Sequence, residues 1–162
     1  MEQFDKIITA LCLKINPENL ADCLMGHRKL TMRIRGKKEL YHMVCAQNEN
    51  FGGSIIKRRN GEKEELLLKI SREDELEAEI QALEEEERLS YQQLRSLSDM
   101  LKSENQRLVI EAYYYQAFCW GEVAMLMHRK DTPKTRRNCQ TTRCNAVAAM
   151  KRLLLSVGTE AA

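Results

Sequence analysis

Between Leu76 and Leu108 the chain holds a register of alternating four- and three-residue steps. Leu76, Ile80, Leu83, Leu94, Leu97, Leu101 and Leu108 occupy it, with Glu87 and Ser90 filling the register between. Residues spaced in this way fall on one stripe of a helix, and the stripe must be covered by another helix. Two arrangements satisfy that demand. The pattern folds back near residues 86–91, where it turns polar, into an antiparallel helical hairpin; or one helix runs straight through and pairs with a second copy. The polar break makes the fold-back the expected arrangement. Ser71 followed by Asp74 is close to a capping box, with Asp in place of the usual Glu or Gln.

Upstream, Phe4, Ile7, Ile8 and Leu11 recur at helical spacing and predict a short amphipathic helix over residues 2–14. Asn16-Pro17 ends it and starts another short helix through Leu20, Cys23 and Leu24. Residues 37–47 repeat the pattern with Leu40, Tyr41, Met43 and Val44. NENFGGS, residues 48–54, reads as a loop. The following SIIKRRNGEKEELLLKI is ambiguous. Asn60-Gly61 between two apolar runs is a hairpin signal, whereas Glu62, Glu64, Glu65 and Leu66–Leu68 are good helix formers with carboxylates gathered at an N-terminus. The helix is the favoured reading.

Charge is segregated along the chain, although the formal net charge of the 162 residues is only +2. Arg28–Asn60 holds nine basic residues against Glu39 and Glu49. Gly61–Arg88 holds twelve carboxylates against four basic residues, and Met125–Arg152 holds eight basic residues against Asp131. Such blocks point to a polyanionic partner at the basic ends and a solvated acidic helix between them. With 31% charged residues, 6% aromatics and two prolines, the composition favours an all-α protein. No run approaches the roughly 18 apolar residues of a membrane span, and the N-terminus lacks the basic start and cleavage site of a secretory signal. A cytoplasmic protein is expected, with no membrane partner and with its six cysteines reduced. The division expected is an N-terminal helical portion over 1–53, an acidic helical hairpin or coiled coil over 54–101, and a helix-turn-helix DNA-binding domain over 102–157.

The last of these rests on residues 108–155. An apolar-periodic segment runs from Leu108 into Tyr113, Tyr114, Tyr115 and Phe118. A short unit WGEVAMLM follows, then the polar HRKDT, then the long PKTRRNCQTTRCNAVAAMKRLLL. Pro133 suits the first turn of a helix, and Asp131 or Thr132 can cap it. The long helix opens with Lys134, Arg136, Arg137, Gln140, Thr141 and Arg143 and becomes apolar later. Arg, Gln and Thr near a helix N-terminus supply donors and acceptors for base edges and phosphates.

LVIEAYYYQAFCWGEVAMLM together with the basic helix ending AVAAMKRLLL resembles region 4 of bacterial sigma factors. It also resembles the sigma-like ends of phage-encoded late-gene regulators of the ArpU and RinA type. The match that carries the motif covers about residues 100–155. A weaker match, the acidic helical stretch of residues 62–101, begins near Gly52. Residues 1–50 match no pattern. The resemblance implies a phage or prophage transcription regulator in a bacterial host cell, binding double-stranded DNA, with RNA polymerase as a further partner. By position it makes Arg136, Arg137, Asn138, Gln140 and Thr141 groove-facing, and sends Lys134 and Arg143 to phosphates. Ala124 would lie where two helices cross closely. Ala146, Met150 and Leu153, with Cys139 and Thr142 one and two turns earlier, would seal the recognition helix onto the core. HRKDTPKTRR departs from the family by making the connection longer, which leaves the start of that helix open by about a turn. A homodimer is expected, since doubling a half-site is the common remedy for few base contacts, and the apolar seam of residues 76–101 could supply its interface.

Other constellations carry less. Cys23, His27, His42 and Cys45 have a spacing that suits tetrahedral zinc, but Cys23 lies on an apolar stripe, and His42 and Cys45 flank the apolar Met43 and Val44. A packed core with surface histidines is the favoured reading. Cys119, His128, Cys139 and Cys144 are irregularly spaced, and no metal or cofactor is expected. No phosphate loop, nucleophile elbow or zinc-protease motif is present, so an enzyme is not expected. Stacking of single-stranded nucleic acid on the three tyrosines is a minor alternative. The chief alternative to a DNA-binding regulator is a protein-interaction module, such as a small inhibitor, whose acidic hairpin mimics nucleic acid or grips a partner.

Overall fold

In the computed structural model, residues 15–52 and 60–160 are described, and they are helical with no strand among them. The helix expected over residues 2–14 lies outside the described residues. So does the part of the possible ribbon before residue 60; residues 60–68 are helical.

The first helix, α1 (Leu20–Gly52), is led in by a reciprocal cap. Asn16 N–H donates to Asn19 Oδ1 and Asn19 N–H to Asn16 Oδ1, both at 2.8 Å. Leu20 N–H reaches Asn16 O at 3.0 Å, and Pro17 occupies the first-turn position where its missing N–H costs nothing. The two short helices expected over residues 17–24 and 37–47 are one. Gly26 and Gly36 lie within it with open space around them; such glycines lower helix propensity without breaking the hydrogen-bond ladder. The expected loop over 48–54 is helical as far as Gly52.

The second helix, α2 (Asn60–Ser98), runs straight through residues 86–91. The expected fold-back is therefore absent, and Ser71 lies in mid-helix instead of at a cap. The run Glu84–Arg88 lacks apolar residues but consists of strong helix formers, with neither Gly nor Pro to release the backbone. The polar register positions find polar surroundings instead of ending the seam. Ser90 Oγ lies 3.0 Å from His27 Nδ1, and half-buried Glu87 has its carboxyl raised by burial, opposed by Lys38 and Arg35.

The chain divides into two compact units, one formed by Met32–Arg88 and the other by residues up to Thr31 with Leu89 and beyond. In the first, α1 and α2 run antiparallel. Lys37 pairs with Glu79 at 2.9 Å and Lys38 with Glu84 at 2.7 Å, while Asn48 Nδ2 donates to Glu73 Oε1 at 2.7 Å. Ile34, Val44, Leu76 and Ile80 are buried there. Two cations of the basic block, Lys37 and Lys38, are thus met by the acidic block of α2 within the chain.

In the other unit one core gathers Leu20 and Leu24 of α1, Leu94, Leu97 and Leu101 at and after the end of α2, and the C-terminal helices. The N-terminal portion, expected to stand apart, supplies one wall of this core. Of the seam, Leu76, Ile80, Leu94, Leu97 and Leu101 are buried within a single chain and Leu83 is half-buried, so the homodimer loses most of the interface expected for it.

Ser103 caps α3 (Glu104–Ile110), with Gln106 N–H on its hydroxyl at 3.4 Å. This helix passes into a π-helical turn, Glu111–Tyr115. Gln116 N–H closes on Glu111 O at 2.8 Å and Phe118 N–H on Ala112 O at 2.9 Å. Ala117 takes a left-handed backbone, φ 55, which turns the chain into α4 (Trp120–His128). Arg129, φ 56, ends α4 with its N–H on Met125 O. The last helix, α5 (Pro133–Glu160), is capped by Thr132. Thr135 N–H donates to Thr132 Oγ1 at 3.2 Å and Thr132 N–H to Thr135 Oγ1 at 2.9 Å. The connection is residues 129–132, so HRKDTPKTRR is mostly helix and α5 starts at Pro133.

Candidate nucleic-acid interface

One face of α5 is sealed. Cys139, Ala146 and Met150 are fully buried, as steps of seven and four residues along a helix require. They lie in one core with Val123 and fully buried Ala124 of α4, a small residue where the two helices pack. Leu154 is buried at the end of this stripe, while Leu153 and Thr142 are only half-buried.

The opposite face meets solvent. Lys134, Arg137, Asn138, Thr141, Cys144 and Asn145 are all exposed. Arg137 bends back so that its Nε donates to Pro133 O at 3.3 Å, and Thr141 Oγ1 donates to Arg137 O at 3.0 Å. Arg129 and Lys130 extend the exposed positive charge into the connection. Four of the seven expected contact residues, Lys134, Arg137, Asn138 and Thr141, share this face.

The other three are placed differently. Gln140 is half-buried on the flank. Arg136 is tied to Asp131 by two bonds, Nε to Oδ1 at 2.5 Å and Nη2 to Oδ2 at 2.8 Å. That bond holds the Asp131 carboxyl below the usual range. Gly121 permits the pair to approach α4: a Cβ there would stand 2.8 Å from Asp131 Oδ2 and 3.0 Å from Arg136 Nη2. Asp131 therefore holds Arg136, and the helix cap falls to Thr132 alone.

Arg143 is half-buried, with its guanidinium carbon 5.4 Å from the Trp120 ring centroid and 5.8 Å from that of Tyr113. Trp120 stacks on Tyr113 at 4.2 Å and 15°. On the same tyrosine lies Arg28 of α1, its guanidinium carbon 4.1 Å from the centroid. Two arginines and two aromatic rings thus join α1, the π turn, α4 and α5. Sequence periodicity could not reveal this grouping, because its members come from four elements.

All three tyrosines are buried, although three consecutive residues on an α-helix point to different faces. The π turn widens the spacing, and the module is covered on more than one side: Tyr113 by Arg28 and Trp120, and Tyr114 beside Arg143. Tyr115 donates its hydroxyl to Ser98 Oγ at 2.9 Å and meets the His27 and Tyr91 rings edge-on. Burial raises the phenol of Tyr114, and Tyr115 is raised further by the same cause. Their faces are not offered to bases of a single strand.

The zinc constellations do not assemble. Cys23, His27, His42 and Cys45 all ride on α1, and the fifteen residues from His27 to His42 separate the pairs by roughly 22 Å of helical rise. His27, expected at the surface, is buried. Among the described residues no three His, Cys, Asp or Glu side chains are gathered to hold a metal ion. Cys139 is buried, whereas Cys119 and Cys144 are exposed free thiols. No described helix is long and apolar enough to cross a membrane.

The chain matches no family model, no curated protein and no solved structure.

Proposed function

We propose that the protein is a sequence-specific regulator of transcription that binds double-stranded DNA, of the phage or prophage kind, with α4 and α5 as a helix-turn-helix like that of sigma-factor region 4. The observation that carries the reading is the division of α5. A sealed stripe of Cys139, Ala146 and Met150 backs an outward face of Lys134, Arg137, Asn138 and Thr141. A helix entering the major groove needs that division: donors and acceptors outward near its N-terminus, and a rigid body behind them. The four-residue connection, 129–132, is of the length such turns use. On this reading Arg137, Asn138 and Thr141 address base edges, while Lys134, Lys130 and Arg129 address phosphates. Contact with RNA polymerase is part of the proposal on the resemblance alone.

The competing reading, an acidic surface that grips a protein partner, loses three carboxylates, Glu73, Glu79 and Glu84, to Asn48, Lys37 and Lys38, while Asp74, Glu75, Glu77 and Glu86 stay exposed. Salt-dependent retention on duplex DNA, followed by selection of binding sites from random duplexes, tests the proposal. Phosphate contacts release counterions, so affinity should fall steeply with salt. Retention that ignores salt, or a selection that enriches no sequence, would overturn it.

A further inference from the structure

Of the two expected base-reading arginines, Arg136 is the one whose guanidinium is held by a carboxylate. It stands three residues before fully buried Cys139, so its Cβ lies roughly 60° around the helix from the sealed stripe, whereas Arg137 lies roughly 160° away. Asp131 meets it in the two-bond geometry that matches carboxylate to guanidinium. A phosphate would engage the same donors in the same geometry. The pair is open to water, with side-chain exposures of 50% and 33%, and an exposed pair holds only weakly. Asp131 is also the single acidic residue in the basic block Met125–Arg152. Gly121, by having no Cβ, is what allows the pair to settle against α4.

Resting on the DNA-binding reading, we infer that Asp131 sets the strength of phosphate-driven DNA binding by competing with DNA phosphate for Arg136. Non-specific duplex offers phosphates to every exposed cation, and the binding it produces scales with the number of cations available. By occupying Arg136, Asp131 removes one of them. Affinity for duplex of any sequence then falls, while the contacts of Arg137, Asn138 and Thr141 on the outward face are left in place. The ratio of specific to non-specific binding is left as it was, because a phosphate contact is the same on every sequence.

The test is a double-mutant cycle in the full chain with Asp131→Asn and Arg136→Gln. Fluorescence anisotropy reads binding to a mixed-sequence duplex and to the duplex enriched by selection, across a potassium chloride series. D131N is expected to bind mixed-sequence duplex about two- to fivefold more tightly and to steepen its salt slope by about one unit. The selected duplex should tighten by a similar factor, leaving the ratio between the two duplexes unchanged. The loss of slope on R136Q should be larger by about one unit in the D131N background than in the wild type. An unchanged D131N slope, or an additive cycle in which the Asp131 charge acts without Arg136, would overturn this inference alone. Wild-type protein that binds neither duplex would overturn the DNA reading itself. Both substitutions alter exposed side chains, and circular dichroism of each variant confirms that it is folded.

Discussion

Arg28 donates from one guanidinium nitrogen to two carbonyls, Tyr113 O at 2.6 Å and Phe118 O at 2.8 Å. Those carbonyls flank the point where the π turn ends and Ala117 adopts its left-handed backbone. At such a break the ladder no longer supplies every acceptor with a donor, and a charged side chain from elsewhere takes its place. The N-terminal segment is thereby part of the C-terminal module's structure.

Arg28→Ala should destabilise the protein by about 2–4 kcal/mol. It removes two charge-assisted bonds and a cation placed over the Tyr113 ring. Lys in its place should recover only part of this, since an ammonium cannot reproduce the planar fork. Urea unfolding monitored by circular dichroism checks both values, and a loss under 0.5 kcal/mol for the Ala variant would contradict the assignment.

Trp120 is half-buried, stacked on Tyr113 with Arg143 on its ring. Truncation should cost about 2–4 kcal/mol, at or below the usual range for a fully buried aromatic. Trp120→Phe should retain most of that stability. Comparing the two variants by thermal melting separates loss of the stack from loss of the indole itself.

His27 is buried against Ser90, Tyr91 and Tyr115, and burial lowers its pKa from the ordinary 6.5. The folded state therefore keeps the ring neutral where the unfolded chain would protonate it. Its contribution is complete above pH 6.5 and is lost as the pH falls below that value toward the folded pKa. The slope in that window should reach at most about 1.4 kcal/mol per pH unit. His27→Gln should flatten stability against pH there, and a wild-type curve that is already flat from pH 7 to about 5 would refute the prediction.

Gly121→Ala should change stability by no more than about 0.5 kcal/mol, because displacing the exposed Asp131–Arg136 pair with the new Cβ offsets the better helix propensity of Ala. In the Asp131→Ala background the same substitution should instead stabilise by about 0.5–1 kcal/mol. Additive melting temperatures for the two substitutions would show that the pair is not what the methyl meets.

On the DNA-binding reading, Arg137→Ala or Asn138→Ala should cost about 1–3 kcal/mol on the selected duplex and relax preference at one base pair. Lys134→Ala should weaken all duplexes alike and shallow the salt slope by about one unit. Affinities measured on a panel of single-base variants of the site distinguish the two outcomes. None of these changes should lower the melting temperature much, since all three side chains are exposed.

Local order was legible in the residues. The steps from Leu76 to Leu101 marked an apolar stripe, though not the single helix that carries it through residues 86–91. Pro133 marked a first turn of α5, with its cap open between Asp131 and Thr132, and the spacing of Cys139, Ala146 and Met150 marked its sealed face. Each follows from a period of 3.6 residues or from the chemistry of a cap, both local properties of the chain. Partnership was not legible. Whether the Leu76–Leu101 stripe would be covered by itself, by a second copy or by α1 depends on contacts across many residues, and a helical period says nothing about who covers it. Nor could the period show that Arg136 and Arg137, adjacent in sequence, part company. A 100° step turns one toward Asp131 and the other to solvent, and only the closeness of Gly121 made that pairing possible. Folding brought Arg28 to Tyr113 and Lys37 to Glu79. The tertiary structure thereby decided which of the chain's many charges are spent within it and which remain on the outward face of α5.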